Sequence, residues 1–149
     1  QAKQENKLIF VDCYTSWCGP CKQLATEIFP QKIVGDFMNS KFVNVKYDME
    51  KEEGLTFNQK YPDAIKAYPT MLIINTTGEI IHKIVGSMPA EELLSAIEEG
   101  LQGNTIYTFE KEYQKLDIHK KISCRIKICQ RKRNIRTSRS NIHFPIPHR

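Results

Sequence analysis

Leu8-Ile9-Phe10-Val11 and Met71-Leu72-Ile73-Ile74 are continuous apolar runs, the pattern of strands buried on both faces of a sheet. Phe42, Val43, Val45 and Tyr47 predict a further strand, and Ile80–Val85 another. Thr76-Thr77-Gly78-Glu79 reads as the turn of a hairpin between the last two strands, which Gly86 closes. Helical spacing appears elsewhere. Leu24, Ala25 and Ile28 follow Pro20, which stands where a first helical turn tolerates proline. Pro30 should end or kink that helix, and Ile33, Val34, Phe37 and Met38 supply the apolar face of a second piece. Glu52–Lys60 reads weakly as helix, weakened by Gly54. Pro89 is expected at the first position of the last helix, with Glu91 and Glu92 near its positive end. Leu93, Leu94, Ile97 and Leu101 line one face of it. The order is strand, helix, strand, helix, hairpin, helix, without internal repeat. It predicts an α/β fold: a central sheet of mixed strand directions flanked by helices.

The 149 residues suffice for one domain with a real core, and 40% apolar with 26% charged residues is ordinary globular composition. No stretch approaches the ~18–20 apolar residues of a membrane-spanning helix. The net charge of +5 hides a split. Residues 1–115 hold 12 basic and 16 acidic residues, net −4, whereas 116–149 hold 10 basic residues and the single acid Asp117, net +9. The sequence opens at Gln1 rather than Met, which leaves an upstream leader or lipid anchor open.

Five cysteines, Cys13, Cys18, Cys21, Cys124 and Cys129, are odd in number and unevenly spaced, unlike a disulfide-stapled miniature. Cys18-Gly19-Pro20-Cys21 stands at the start of a helix that follows a buried strand, where two cysteines can close a small disulfide ring. The first sulfur faces unpaired backbone N–H groups and the positive end of the helix, and both favour a thiolate, the nucleophile of exchange. The second, a turn further in, is expected to be more buried and to keep its proton. Cys18 then attacks and Cys21 resolves the mixed disulfide, with Pro20 stiffening the turn. A zinc site would need a second ligand pair at matching spacing. Cys124 and Cys129 are distant and poorly spaced, so no metal is expected. An inert structural pair is the remaining rival, and the exposed-looking Trp17 argues against it. Cys13 reads as a buried small hydrophobe, and His82 as structural.

Val11-Asp12 followed by Trp17-Cys18-Gly19-Pro20-Cys21-Lys22 resembles the active-site segment of thioredoxins. Tyr68-Pro69-Thr70 before an apolar strand is similar to their cis-proline loop, and Gly86 ahead of the last helix matches a third family position. The resemblance covers residues 5–102. The Phe29-Pro30 break and the longer Asp48-to-Tyr61 segment are more similar to exported bacterial thioredoxin-like domains of the thiol:disulfide interchange type. It implies a thioredoxin fold over 3–104 and a C-terminal extension over 105–149, helical at first and then poorly ordered or non-native. The implied activity is reduction or exchange of protein disulfides by a monomer, with no cofactor beyond the Cys18–Cys21 disulfide. Disulfide-containing proteins and an upstream thiol electron donor are the implied partners, in the periplasm or otherwise exported, with the cytoplasm as the alternative compartment. The Gly-Pro pair resembles reductants more than strong oxidants. The alternative function is a non-catalytic module that holds unfolded or partner proteins.

By the same resemblance, Asp12 is the buried acid that takes the Cys21 proton, its pKa raised by burial; otherwise it points to a solvated strand end. Lys46 matches the lysine that approaches this acid, against an ordinary solvated lysine. Pro69 is implied to be cis, with the Tyr68 backbone beside Cys18. Trp17 would form an apolar apron for substrates, against ordinary core packing. Gly19, Pro20, Thr70 and Gly86 complete the implied substrate surface.

From Leu116 onward Arg131-Lys132-Arg133 and Arg136 cluster among Ser, Thr and Asn, with Phe144 the only aromatic. Three readings stand in this order: a frameshifted or misassembled segment, a solvated disordered tail, and an electrostatic nucleic-acid or lipid attachment. No aromatic platform is interleaved to hold bases, so nucleic acid is not an expected partner. If the segment is foreign, it removes little apolar area from water. Deleting 116–149 should then leave the denaturant midpoint and disulfide reduction unchanged, whereas a marked loss of either would make the tail native and docked.

Overall fold

The computed structural model describes residues 1–103. The extension expected over 105–149, with Cys124, Cys129 and the basic cluster, lies outside the described residues. A short helix α1 (Ala2–Glu5), absent from the hydrophobic pattern, ends at Asn6 in a left-handed conformation (φ 50°, ψ 40°) and leads into β1 (Leu8–Tyr14). Then follow α2 (Gly19–Gln23), a π-helical turn (Leu24–Ile28), α3 (Lys32–Lys41) and β2 (Phe42–Asp48). The chain continues through α4 (Glu52–Lys60), β3 (Thr70–Ile74), β4 (Ile80–Val85) and α5 (Ala90–Leu101). The sheet runs β2-β1-β3-β4, with β1 parallel to β2 and antiparallel to β3, and β3 antiparallel to β4. This is the α/β thioredoxin-like fold that the pattern and the resemblance predicted.

The period-two alternation of strands divides the core into two layers. Phe10, Met71, Ile73 and Ile84 pack with Leu24, Ile28, Val34, Met38, Leu93 and Ile97 of the π-turn, α3 and α5. Val11, Cys13, Leu72, Ile74 and Ile80 face the opposite way, toward Met49, Ile65 and the aromatic rings of Phe57 and Tyr61. A register shift between Ile73 and Ile74 lets Ile80 join this second layer while His82 faces α5. The hairpin turn is held by the Asn75 side chain, which accepts from the backbone N–H groups of Thr77 (3.0 Å) and Glu79 (2.9 Å), an Asx-type device.

Two boundaries differ from expectation for local reasons. The helix after Cys18 widens into a π-turn, in which the Phe29 N–H reaches back to the Leu24 carbonyl at 2.8 Å. Pro30 can donate no bond of its own, and the Thr26 hydroxyl takes the Lys22 carbonyl at 2.9 Å. Pro89 sits at the N-cap of α5 rather than at its first helical position, with extended backbone (φ −58°, ψ 157°). There its carbonyl still accepts the first intrahelical bond, from the Leu93 N–H at 2.9 Å.

Gly100 of α5 meets the buried His82 ring so closely that an added Cβ would lie 2.3 Å from the ring carbon Cδ2. Gly35 of α3 has no atom within 4 Å of an added Cβ. Gly100→Ala is therefore expected to destabilise the fold by about 1–3 kcal/mol through overpacking. Gly35→Ala should raise stability by about 0.5–1 kcal/mol through helix propensity alone. Urea unfolding of both variants checks the pair, and equal shifts would contradict the packing.

Candidate functional site

β1 carries the chain to the site. Its last residue, Tyr14, leads into a loop in which the Cys18 N–H bonds the Thr15 carbonyl at 3.2 Å. Cys18 is the N-cap of α2, in extended backbone (φ −73°, ψ 108°), and its sulfur accepts the Cys21 N–H at 3.2 Å. The two cysteines are joined in a disulfide, with Cα atoms 5.3 Å apart. A sulfur in this position takes the place of the usual oxygen cap, so the Cys21 N–H that would stabilise a thiolate is already aimed at it.

The expected contrast between an exposed Cys18 and a deeper Cys21 is not found. Cys18 is 3% and Cys21 4% exposed. Gly19 and Pro20, between them, are exposed.

Trp17 is 66% exposed, which excludes ordinary core packing. Its ring meets Tyr68 edge to face, centroids 6.1 Å apart, a favoured aromatic arrangement. The Tyr68–Pro69 peptide is cis, and Pro69 is buried. The Pro69 carbonyl accepts the Gly86 N–H at 2.9 Å, with Gly86 at φ +95°. Thr70, wholly buried, donates its hydroxyl to the Ala67 carbonyl at 2.7 Å and stands in register with Cys13 on β1 and Val85 on β4. Trp17 thus meets Tyr68 directly, and Gly86 is tied to Pro69.

Asp12 interrupts β1 and is 7% exposed, with Oδ1 lacking a hydrogen-bond partner. Alternation puts it on the α2–α3 side of the sheet, in a cleft of about 490 Å³ shared with Ala25, Phe29, Asn39 and Lys46. Burial raises its carboxyl pKa from 3.8 to about 6, against a smaller lowering by the Lys46 charge. Lys46 faces Asp12 across the β1–β2 pairing and is exposed. Cys13 points to the opposite layer as a fully buried free thiol, pushed up to about 12 by burial and then by the neighbouring Asp12 charge. His82 is buried against α5, and burial lowers its pKa.

Sequence reasoning missed Glu50 and Ser16. Glu50 accepts from Trp17 Nε1 at 2.9 Å and from the Ser16 hydroxyl at 3.2 Å. No spacing rule connects Trp17 with a carboxylate 33 residues away in a turn.

A cysteine pair closed across the mouth of a helix, on a sheet in this strand order, defines the class of thioredoxin-fold disulfide oxidoreductase domains. The profile of the thioredoxin-like domain family matches residues 1–101, and the chain belongs to that family. Thioredoxin-1 of Saccharomyces cerevisiae is 32% identical over 100 residues, 67% of this chain and 84% of the relative. A chloroplastic thioredoxin Y of Oryza sativa is 31% identical over the same share of the chain. The chain spans only 55% of that relative's length. Among solved structures, a candidate disulphide-isomerase of Bacteroides thetaiotaomicron is 48% identical with a TM-score of 0.59, covering 67% of this chain and 81% of that one.

An ionised carboxylate in the Asp12 position opposes folding, because the folded state holds its proton more tightly than the unfolded chain. The penalty is present above pH 6 and is relieved as pH falls through about 6 toward 3.8. Asp12→Asn should therefore be more stable than the parent by about 3 kcal/mol at pH 8. The difference should shrink below pH 6 and vanish below the ordinary carboxyl value. Denaturant titrations across pH check this, and a difference independent of pH would overturn it.

Proposed function

We propose that the domain reduces and exchanges disulfides in protein substrates, with Cys18 as nucleophile and Cys21 as resolver. The observation that carries the reading is the Cys18 sulfur at the helix N-cap, accepting the Cys21 N–H at 3.2 Å, beside the exposed Trp17 ring. In the reduced enzyme the Cys18 thiolate attacks one sulfur of a substrate disulfide. That bond breaks, the other substrate sulfur leaves as thiolate, and a mixed disulfide with Cys18 remains. The Cys21 thiol then gives its proton to Asp12 and attacks the Cys18 sulfur. The mixed disulfide breaks as the Cys18–Cys21 disulfide closes, and the second substrate sulfur leaves as a thiolate, two electrons having passed to the substrate in all. A thiol donor restores the dithiol by the reverse sequence.

Asp12 suits the proton-acceptor role because burial leaves its pKa at about 6, close enough to neutral pH to take and release a proton. Lys46, in register with it, lowers that value and keeps the carboxylate ionised at rest. Trp17 and Tyr68 supply an apolar surface on which a protein substrate packs, and the buried Pro69 and Thr70, with Gly86 bonded to the Pro69 carbonyl, support it from behind. The Gly-Pro pair between the cysteines favours the reducing direction by its likeness to reductants.

The test separates the two sulfurs. With dithiothreitol as donor, the parent chain should accelerate insulin reduction, and Cys18→Ser should abolish the acceleration. Cys21→Ser should accumulate a mixed disulfide with insulin, seen on non-reducing gels, while Cys18→Ser should trap none. Equal trapping by both variants would remove the assignment of nucleophile and resolver.

A further inference from the structure

We propose that His82 is an acid-sensitive latch between β4 and α5: when its buried ring takes a second proton, the last turns of α5 loosen from the sheet. No step of the disulfide chemistry is involved.

α5 buries Ala90, Leu93, Ile97 and Gly100. The stripe keeps helical spacing, but its last member has no side chain. The His82 ring fills that gap. It comes so close that an added Cβ on Gly100 would lie 2.3 Å from Cδ2, 2.4 Å from Cγ and 2.9 Å from Nε2. On the sheet side, His82 stands in register with Ile73 of β3 and is 6% exposed. One aromatic ring therefore joins the end of the helix to β4.

The two ring nitrogens are not equivalent. The Ala96 carbonyl, one turn before Gly100, favours a proton on the ring, whereas Nδ1 is buried and has no hydrogen-bond partner. This pairing assigns the proton of the neutral ring to Nε2. Nδ1 is then the atom that a second proton must occupy. There the new N–H would find no acceptor, and the charge would sit away from water.

Among the described residues β4 packs against β3 and α5. β3 (Thr70–Ile74) presents no titratable side chain, and Lys83, next to His82 on β4, alternates to the other face of the strand. From α5, Glu99 faces the ring, and its charge and the Ala96 carbonyl both favour the imidazolium. Burial opposes them and prevails, which holds the imidazole below its ordinary 6.5. The docked state therefore binds the proton less tightly than a released helix would. Docking is undiminished above pH 6.5 and weakens as pH falls below it. Burial of Asp12 has the opposite sign, since its penalty is relieved in acid, so a global unfolding curve would blend the two.

Hydrogen exchange of the full-length protein, followed by mass spectrometry and corrected for intrinsic rates, reads α5 apart from β1. In the parent, opening of α5 should rise about three- to thirty-fold between about pH 7.5 and about pH 5, the ceiling being roughly ten-fold per pH unit below the ordinary imidazole value. His82→Gln keeps a donor for the Ala96 carbonyl and cannot become charged, and it should abolish the rise. His82→Phe, which keeps a ring against Gly100, should do the same. Asp12 is present in all three chains, so its contribution cancels in the comparison. The parent also gives a reading without substitution, which holds even where a variant fails to fold. In an NMR titration the His82 ring should titrate below 6.5, with the α5 amide shifts moving at the same midpoint. A rise in α5 opening that survives in both variants would overturn the proposal. So would a His82 ring that titrates at or above the ordinary value, or α5 amides that do not follow it.

Discussion

A strand that is hydrogen-bonded on both sides and covered on both faces leaves the side chains at its centre little route to water. β1 is that strand, with β2 on one side, β3 on the other, and an apolar layer on each face. Its alternation sends Phe10 and Asp12 toward the cleft under α3, and Val11 and Cys13 toward the aromatic layer of α4. The cost of a polar group on such a strand is high, and Asp12 meets it by holding its proton up to about pH 6. The same burial that opposes folding brings the carboxyl into the range where proton exchange near neutrality is possible. Stability and chemical readiness at this position are two consequences of one desolvation.

The geometry also separates the two cysteines that lie closest to the end of β1. Cys13 and Cys18 are both buried thiol positions, yet only Cys18 stands at a helix N-cap with a backbone donor on its sulfur. Cys13 has neighbours that push its thiol up to about 12 and no partner charge to oppose that. A thiol that stays protonated is inert in exchange. The backbone direction at the end of β1 is what separates the two positions, since extended chain turns into helix there within four residues.

Around the disulfide, three segments far apart in sequence share one surface. The loop before Cys18, the turn after β2 and the loop before β3 meet through Glu50, Trp17 and Tyr68. Each contact is modest on its own, since the groups involved are solvated. Together they place contacts on two sides of an aromatic ring that stays exposed.

Much of the architecture was legible because it depends on local pattern. Uninterrupted apolar runs marked β1 and β3, a Gly-containing turn marked the hairpin, and Pro20 after Cys18 marked a helix start. The cysteine spacing at a strand-to-helix junction carried the site's chemistry in the same way. Asp12 was conspicuous because a carboxylate inside an apolar run violates the pattern around it. Other features were not local and so were not legible. Gly54 counted against α4 in a propensity argument, and only the close approach of the Asp48 carbonyl shows why a side chain is excluded there. The π-turn depended on competition for carbonyls near Pro30, which apolar periodicity does not encode. That Cys18 is as buried as Cys21 depends on what packs around the helix start, which the spacing of the two cysteines does not encode. The partner of Trp17 lies 33 residues along the chain. Backbone propensities and periodicity act over a few residues, so the sequence by itself determined the elements and the reactive pair. Which side chains meet across those elements was decided by the tertiary packing, because sheet register and the directions of the loops bring distant residues within hydrogen-bonding reach.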